Sequence, residues 1–395
     1  MKRIFIINNH FGSAAQYGIK TFLEQLLNSL RNTDFHITMV ELCSSSPLLH
    51  AECQNGIEYL HIPMIPNFTK ENNDIYCRNA AYILLTFIEP EDECTFHFNF
   101  LHHKLLAETL RKIYPQGKQI LTIHYFEWLF DLKGDVSSFR RIIQSGGHDL
   151  LQEEAGIYEH YLWDKAFFQA MDYIVALCGE TYHILCNVYQ ISTGKVRVIP
   201  NGMQDEYHPL SNEERHKMKA DFGFADTDRL ILFVGRVTQM KGIGILIESM
   251  KKIISEDSHV HLILAGRGEE GVFKKMTVGY WKNIHFIGQV DKGIVSQLYQ
   301  IADLGVLPSF HEQCSCVAIE MMMFDLPFIA TRCGRLNDIP LSDNLLEYMM
   351  EKPDSNILLD KIKNQLGKEE AKNEFRECYL QCFHIDNLKA YMQLY

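Results

Sequence analysis

The 395-residue sequence has no long hydrophobic run. Its longest apolar stretches, such as residues 4–7 and 230–234, have only a few residues, whereas a membrane-spanning helix needs about 18 or more. The apolar stretch near the first residue stops at Asn8, which is too early for the roughly 7–15-residue core of a signal peptide. These absences argue against spanning segments and predict a cytoplasmic protein.

The sequence also lacks an excess of positive charge and any CxxC pair. It has 38 lysines and arginines against 50 aspartates and glutamates, and both halves share the acidic excess, which excludes a basic nucleic-acid-binding domain. The 11 cysteines are scattered, and the closest pairs, Cys314/Cys316 and Cys378/Cys382, have no matching second pair. The sequence therefore predicts no zinc site, and its cysteines are typical of thiols in a reducing compartment.

Short β-branched and aromatic segments alternate with amphipathic helices along the whole chain. The length exceeds the roughly 100–200 residues of one domain, so two domains are expected. Apolar strands separated by helices favour a parallel sheet with helices on both faces. The sequence thus predicts an α/β fold of two Rossmann-like domains facing a central cleft. The turn Pro200-Asn201-Gly202 marks the boundary, which gives domains 1–202 and 203–375.

Two glutamates in LPSFHEQCSCVAIE are the most informative candidates for chemistry. Glu312 follows the end of a predicted strand, and Glu320 comes two helical turns later. If a helix begins near Ser315, the backbone N–H groups of Ser315, Cys316 and Val317 would suit a phosphate. The spacing alone leaves a second interpretation open, in which one glutamate caps the helix and the other is a solvated charge.

Four further candidates lie where predicted strands end or helices begin. Arg236 and Lys241 follow the strand RLILFVG, where they could clamp a diphosphate or be two solvated charges of a loop. Gly18 is at the start of the first helix, where a missing side chain lets the backbone approach a ligand. His124 lies at the end of the strand QILTIHYF. It also has two interpretations: it is a residue of the site, or it is a buried, hydrogen-bonded histidine.

Read together, these segments resemble the GT-B glycosyltransferases, and specifically the retaining glycosyltransferase family 4 (glycosyl transferases group 1). The resemblance covers nearly the whole chain and is strongest over residues 195–335. It is carried by GSAAQYGIKTFLEQL, LTIHY, ALCGETYHIL, KVRVIPNG, LFVGRVTQMKG, HLILAGRG, NIHFIGQV, LPSFHEQCSCVAIEMMMFDLPFIAT and FHIDNLKAYMQLY.

The resemblance implies a transferase whose donor is a nucleotide sugar, with a UDP-sugar expected. Arg236 and Lys241 would bind the diphosphate, and Glu320 the ribose hydroxyls. Two residues would be catalytic: Glu312 would hold hydroxyls of the transferred sugar, and His124 would contact that sugar near the reacting carbon. The remaining donor contacts would come from Gly18, from the backbone of Ser315, Cys316 and Val317, and from Gly288 and Val290 beside the base.

The resemblance also implies that the sugar is transferred with retention of configuration and without a metal or other cofactor. The acceptor, held by the first domain, would be a glycan, a lipid-linked saccharide, a peptide or a small molecule. The segment 376–395 would be a helix that crosses back to the first domain. A basic helix between Lys104 and Lys118 could meet an anionic membrane surface, or it could be an ordinary solvated face.

Two other functions remain open at this stage. A fold of two such domains also supports a sugar-nucleotide epimerase or a phosphorylase-like enzyme, since the fold alone does not choose the reaction. A non-catalytic nucleotide-sugar-binding partner of another transferase is the third possibility. The family's usual glycine-rich segment after the first glutamate is replaced here by Gln313-Cys314-Ser315-Cys316. By the same resemblance, this segment would lie beside the donor.

Overall fold

The computed structural model of the chain describes residues 1–9, 16–65, 69–366, 368 and 373–395. They form two compact units: residues 1–200 with 386–395, and residues 201–385. The sequence placed the boundary after Gly202, whereas the first unit ends at Pro200. Residues 12–15, which begin the segment GSAAQYGIKTFLEQL, lie outside the described residues.

An eight-stranded sheet forms the centre of the first unit. In order across the sheet, its strands are β3 (His50–Gln54), β4 (Ile57–Pro63), β2 (His36–Ser44), β1 (Lys2–Asn9), β5 (Glu93–Phe98), β6 (Lys118–Ile123), β7 (Tyr173–Ala176) and β8 (Val196–Val198). All neighbouring strands are parallel except β3, which pairs antiparallel with β4. The sequence did not predict β3, because all five of its residues are exposed and it has no apolar alternation.

Helices pack around this sheet and bury apolar side chains against it. They are α1 (Gln16–Leu30), α2 (Lys70–Leu85), α3 (Lys104–Ile113), α4 (Trp128–Asp131), α5 (Val136–Gln144), α6 (Gln152–Ala170) and α7 (Gly179–Asn187). The apolar residues of α1 recur at helical spacing from Ile19 to Leu30, and this stripe is buried. Helices α4, α5 and α6 form a helical insertion between β6 and β7, and Trp128 stacks on Phe139 within it.

The second unit is built on a six-stranded sheet whose neighbouring strands are all parallel. Its strands, in order across the sheet, are β11 (Ile284–Gly288), β10 (Val260–Ala265), β9 (Arg229–Val234), β12 (Leu304–Leu307), β13 (Phe328–Thr331) and β14 (Met349–Met350). Its helices are α8 (Asn212–Asp221), α9 (Ile243–Glu256), α10 (Glu270–Met276), α11 (Lys292–Ile301), α12 (Cys316–Met323), α13 (Arg335–Asp338), α14 (Asp343–Leu346), α15 (Ser355–Gln365) and α16 (Glu374–Cys382). The predicted α/β fold with two parallel-sheet domains is confirmed.

The last residues leave the second unit and pack on the first. Tyr391 and Tyr395 are buried there, and the Tyr395 hydroxyl lies 2.7 Å from Nδ1 of His97. The returning part of the first unit begins at Asp386, and a 3₁₀ helix covers Ile385–Gln393, whereas the sequence predicted one crossing helix over 376–395. Helix α16 stays with the second unit because its Phe375 is buried there and packs against Phe328, with 5.0 Å between the ring centroids.

Candidate functional site

Lys241 and Glu312 meet at one edge of the second sheet. Strands β9 and β12 are parallel neighbours, so the loops that follow them emerge on the same side. Lys241 ends a 3₁₀ turn after β9, and its ammonium group donates a hydrogen bond to Oε1 of Glu312, which follows β12. The Ser309 hydroxyl donates to the same carboxylate oxygen at 2.8 Å. The structure thus brings together two of the residues that the sequence singled out.

The charge of Glu312 is set by two opposing effects. Burial of the carboxyl group favours its neutral form and so raises its pKa, while the Lys241 ammonium and the hydrogen bonds from Lys241 and Ser309 favour the ionised form. The second effect wins, and the pKa of Glu312 lies below its ordinary value. Glu312 is therefore a carboxylate at neutral pH, and the side chains of Glu312 and Lys241 are each about one-fifth exposed.

Gly242 lets the two loops approach each other. Its φ is +72°, and a Cβ atom there would lie 2.0 Å from the carbonyl oxygen of Pro308. A backbone hydrogen bond of 2.9 Å from Phe310 N to Met240 O joins the loops at the same place. The sequence analysis gave no role to Gly242 or Ser309. Gly242 permits the close approach of the two loops, and Ser309 donates a hydrogen bond to Glu312. In the sequence, only the position of Gly242 next to Lys241 could have suggested a role for either residue.

The loop after β13 supports Glu312 from another direction. Gly334 has a φ of +54°, and a Cβ atom there would lie 2.0 Å from the carbonyl oxygen of Glu312 and 2.4 Å from that of Gln313. The backbone N–H of Arg335 donates to the Gln313 carbonyl at 2.7 Å. The backbone at Glu312 and Gln313 is therefore fixed by contacts that any side chain at position 334 would disturb.

Helix α12 begins where the sequence predicted. Ser315 is its N-cap, and the Ser315 hydroxyl accepts a hydrogen bond from Ala318 N at 3.3 Å. The N–H groups in the first turn of an α-helix, here those of Cys316 and Val317, point toward the helix N-terminus, where the helix dipole favours an anion. Asn201 holds this loop, because its Nδ2 donates to the Cys314 carbonyl at 2.8 Å. The turn that marked the domain boundary thus also supports the start of α12.

Glu320 lies on α12 in a different environment from Glu312. The Tyr299 hydroxyl donates to Oε2 of Glu320 at 2.7 Å. Burial raises the pKa of Glu320 above its ordinary value, since this bond and the charge of Lys292 offset burial only in part. The structure therefore separates the two glutamates by environment: Glu312 is paired with a cation at close range, while Glu320 is held by a neutral hydroxyl group.

The other donor-side candidates lie at the same edge of the second sheet. Arg236 comes two residues after the end of β9. Gly288 ends β11 with a φ of +69°, and its carbonyl accepts a hydrogen bond from Gly266 N at 2.7 Å. Val290 follows and is partly exposed. These positions agree with the expected edge of the sheet, and their roles remain predictions.

The two candidates of the first unit lie in different settings. Gly18 is exposed in the first turn of α1, and a Cβ atom there would have nothing within 4 Å. His124 follows β6 and is partly buried, with its ring edge against Phe22 at 4.8 Å between centroids. Its Nε2 lies 3.1 Å from Oδ1 of Asn99, a residue to which the sequence analysis gave no role. Burial lowers the pKa of His124 to about 3, so its ring is neutral.

The basic helix that suggested a membrane contact has most of its cations engaged within the protein. The Lys104 ammonium lies 4.0 Å from the Trp163 ring centroid and 3.7 Å from the Glu108 carboxylate. Arg111 pairs with Asp172 at 2.6 Å, and Lys118 donates to the Leu394 carbonyl at 2.7 Å.

In the described part of the chain, no helix is both long and apolar enough to cross a bilayer. The same residues contain no group of three or more metal-ligand side chains arranged to hold an ion.

Comparison with known folds defines the class of the protein. Sucrose-phosphate synthase from Thermosynechococcus elongatus superposes with a TM-score of 0.78 at 19% identity, over 100% of this chain and 98% of that one. Anabaena HepE, solved in complex with UDP and glucose, gives a TM-score of 0.74 at 13% identity, over 99% and 98%. At such identities the likeness shows the fold, which is the GT-B fold of two parallel-sheet domains.

The family follows from sequence comparison. The sequence model of the family "Glycosyl transferases group 1" matches residues 228–367, which include β9 and the Lys241–Glu312 pair. This match supports the resemblance to group 1 glycosyltransferases that is seen in the motifs of the same segment. An uncharacterized glycosyltransferase of Methanocaldococcus jannaschii is 26% identical over 364 residues, covering 91% of this chain and 88% of that protein.

Other curated relatives match over a shorter length. A second uncharacterized glycosyltransferase of the same organism is 29% identical over 55% of this chain and 59% of its own length. Mannosylfructose-phosphate synthase of Agrobacterium fabrum is 25% identical over 48% of this chain and 44% of its own. The chain thus spans about half the length of these two relatives.

Proposed function

We propose that this protein transfers a sugar from a nucleotide-sugar donor to an acceptor hydroxyl. The observation that carries the proposal is the hydrogen-bonded group of Lys241, Ser309 and Glu312, next to the N-terminus of α12 at the carboxyl edge of the second sheet. A nucleotide sugar needs both chemistries found there. Its diphosphate needs cations and N–H donors, and its sugar hydroxyls need hydrogen-bond acceptors. The match of residues 228–367 to the family model supports the same conclusion.

The donor would lie along this edge of the second unit. Lys241 and Arg236 bind the diphosphate, together with the N–H groups of Cys316 and Val317. The carboxylate of Glu312 accepts hydrogen bonds from hydroxyls of the transferred sugar, and Glu320 accepts from the ribose. Gly288 and Val290 lie beside the base. We expect a UDP-sugar, in line with the UDP and glucose bound in the HepE structure.

We propose that no metal takes part. As the bond between the sugar and the diphosphate breaks, negative charge grows on the departing phosphate. Lys241, Arg236 and the positive end of α12 are placed to stabilise that charge. Glu312 is already hydrogen-bonded by Lys241 and Ser309, which suits it better to holding sugar hydroxyls than to attacking the reacting carbon. We therefore infer that the anomeric configuration is retained without a covalent sugar–carboxylate intermediate, as the family 4 resemblance implies.

The first unit would hold the acceptor, a glycan, lipid-linked saccharide, peptide or small molecule, with Gly18 and His124 at its ligand-binding edge. We place the activity in the cytoplasm. If the acceptor is lipid-linked, the protein would meet the membrane peripherally. Internal pairing of Lys104, Arg111 and Lys118 makes the α3 region a weaker candidate for that contact than its sequence suggested.

A thermal-shift screen of UDP-, GDP- and ADP-sugars tests the proposal directly. A ligand present at 100 times its Kd stabilises the folded state by about 2.7 kcal/mol, which is readily measured. The base that raises the melting temperature then selects the donor for transfer assays. If none of the three classes binds, the proposed donor site is wrong. Interconversion of nucleotide sugars without an acceptor would instead indicate an epimerase.

The site assignment is tested with Lys241→Ala and Glu320→Ala. We expect both to weaken nucleotide binding and transfer while the protein still folds. Lys252→Ala is the matched control, because Lys252 is an exposed lysine of the same unit whose ammonium donates to Asn356 at 3.1 Å. Unaltered nucleotide affinity in both test variants would contradict the assignment.

A further inference from the structure

Asn99 is a buried amide whose orientation is determined by its neighbours. It follows β5 and is 1% exposed. Its Nδ2 donates to the carbonyl oxygen of Ile7 at 3.2 Å and approaches that of His97 at 3.5 Å. Carbonyl oxygens can only accept, so the amide nitrogen must face them. The Oδ1 atom of Asn99 is consequently turned to the other side of the side chain.

That oxygen meets the ring of His124. The distance from Asn99 Oδ1 to His124 Nε2 is 3.1 Å. An amide oxygen carries no hydrogen, so the ring nitrogen must be the donor. Since burial keeps the ring neutral, it has one N–H group, and that group is Nε2–H. The other nitrogen, Nδ1, then carries a lone pair and can only accept a hydrogen bond.

The ring is held in this orientation. A half-turn about its Cβ–Cγ bond would put a carbon atom opposite Asn99 and lose the hydrogen bond, and Phe22 packs against the ring with its centroid 4.8 Å away. Nδ1 of His124 has no hydrogen-bond partner within the ranges 1–9, 16–65, 69–366 and 373–395. His97 differs, because both of its ring nitrogens are engaged, by Tyr395 at 2.7 Å and Thr122 at 2.8 Å.

We propose that Asn99 is a positioning residue that fixes His124 in the Nε2–H tautomer, so that Nδ1 accepts a hydrogen bond from a substrate hydroxyl. The inference rests on the proposed function, because it assumes that His124 meets the sugar or the acceptor. The proposal specifies that His124 accepts this hydrogen bond and that the substrate donates it. A hydroxyl can donate to Nδ1, whereas a phosphate or carboxylate oxygen without hydrogen cannot. His124 therefore selects a hydroxyl group at this position.

Nitrogen-15 NMR of the histidine-labelled protein tests the tautomer without any substrate. We expect the wild-type protein to show Nε2–H at His124 and a bare Nδ1. In Asn99→Leu, which has a similar shape and no acceptor, we expect a mixture of tautomers or Nδ1–H. Thr122→Val is the control, because it removes a hydrogen bond to His97 and leaves Asn99 in place. Its His124 signals should match the wild type.

Kinetics test the consequence for the substrate. We expect Asn99→Leu to lower kcat/KM by about tenfold, the effect of one hydrogen bond in a site. A deoxy analogue that lacks the contacted hydroxyl should react as poorly with wild type as with Asn99→Leu or His124→Phe. Each single-position deoxy donor or acceptor is assayed in turn. Thr122→Val should distinguish hydroxyl from deoxy substrates as the wild type does.

Two results would overturn the inference: Nδ1–H at His124 in the wild-type protein, or an unchanged Nε2–H tautomer in Asn99→Leu. The first needs no variant, so a folding failure of Asn99→Leu would not prevent the test. A wild-type protein with the expected tautomer that transfers no sugar would contradict the proposed function instead. Observation of the expected tautomer would still support the assignment of Asn99 as the residue that sets it. The two failures are therefore distinguishable.

Discussion

Glu312 and Lys241 are 71 positions apart in the sequence, and the structure joins them in a hydrogen-bonded ion pair. The pairing of β9 with β12, in which Gly305 aligns with Leu232, brings their loops together. The positive charge that the proposed diphosphate needs is therefore partly neutralised before any ligand arrives. A donor must share the Lys241 ammonium with Glu312, which makes the two binding functions of the pair interdependent.

Substitution of Glu312 by Gln separates these two functions. Glutamine can still accept from Ser309 and is uncharged, so Lys241 keeps its full charge for a phosphate. We expect transfer to fall about 100-fold or more, while UDP binds at least as tightly as it does to the wild type. Titration calorimetry with UDP and a transfer assay measure the two effects. Glu256→Gln, which breaks the exposed pair with Lys363, is the control and should change neither.

Substitution of Gly334 by Ala should disturb Glu312 from outside the site. The new Cβ would lie 2.0 Å from the Glu312 carbonyl oxygen, so the backbone must move. Gly223→Ala is a matched control, because Gly223 also has a positive φ, +84°, with nothing within 4 Å of the added atom. We expect Gly334→Ala to cost about 1–3 kcal/mol more than the control, and to reduce transfer. Equal losses of stability in the two variants would show that the loop has room to adjust.

Asp164 should make the first unit less stable as the pH rises. Burial, with the nearby charge of Glu127, raises the pKa of Asp164 from 3.8 to about 7. Between these values the folded state holds a proton that the unfolded chain has lost, so stability falls by up to about 1.4 kcal/mol per pH unit. Thermal unfolding of Asp164→Asn should lack this loss. The variant should therefore gain stability relative to wild type from pH 4 to pH 7, and parallel curves would contradict the assignment.

His97 should have the opposite effect at acidic pH. Burial and the neighbouring His124 lower its pKa from 6.5 to about 3. As the pH falls below 6.5, the unfolded chain binds a proton that folded His97 does not, so the folded state loses stability. We expect His97→Gln to be less stable than wild type at pH 7, because two hydrogen bonds are lost, and the difference to narrow toward pH 4. Chemical denaturation across this range measures it, with the exposed His208→Gln as the control. A constant difference would mean that His97 is not the acid-sensitive group.

The elements of the fold with a strong periodic pattern could be predicted from the sequence. The stripe from Ile19 to Leu30 indicated α1, and the apolar run before Gly235 indicated β9. Strand β3 could not be found in this way, because its exposed residues are held by pairing with β4 rather than by burial. The unit to which α16 belongs could not be predicted either. Its Phe375 packs on Phe328 of the second unit, and no local sequence pattern shows with which unit a helix packs.

Some residues of the candidate site could be predicted from the sequence, but the contacts between them could not. The ends of β9, β12 and β6 could be located, so Lys241, Glu312 and His124 could be placed at sheet edges. Which strands are neighbours is decided by the packing of the whole sheet, and the bond from Lys241 to Glu312 depends on it. Asn99 was missed because nothing in HFNF shows that its amide would face two carbonyls and a histidine.

The buried tyrosines near the last residues have a consequence for synthesis on the ribosome. Tyr391 and Tyr395 are packed within the unit that comprises residues 1–200, yet they are translated after all of residues 201–385. Until then, the hydrogen bonds that they make with Thr122 and His97 cannot form. All residues of the second unit, 201–385, are translated before Tyr391 and Tyr395. The half of the protein that is made first is thus the half that is finished last.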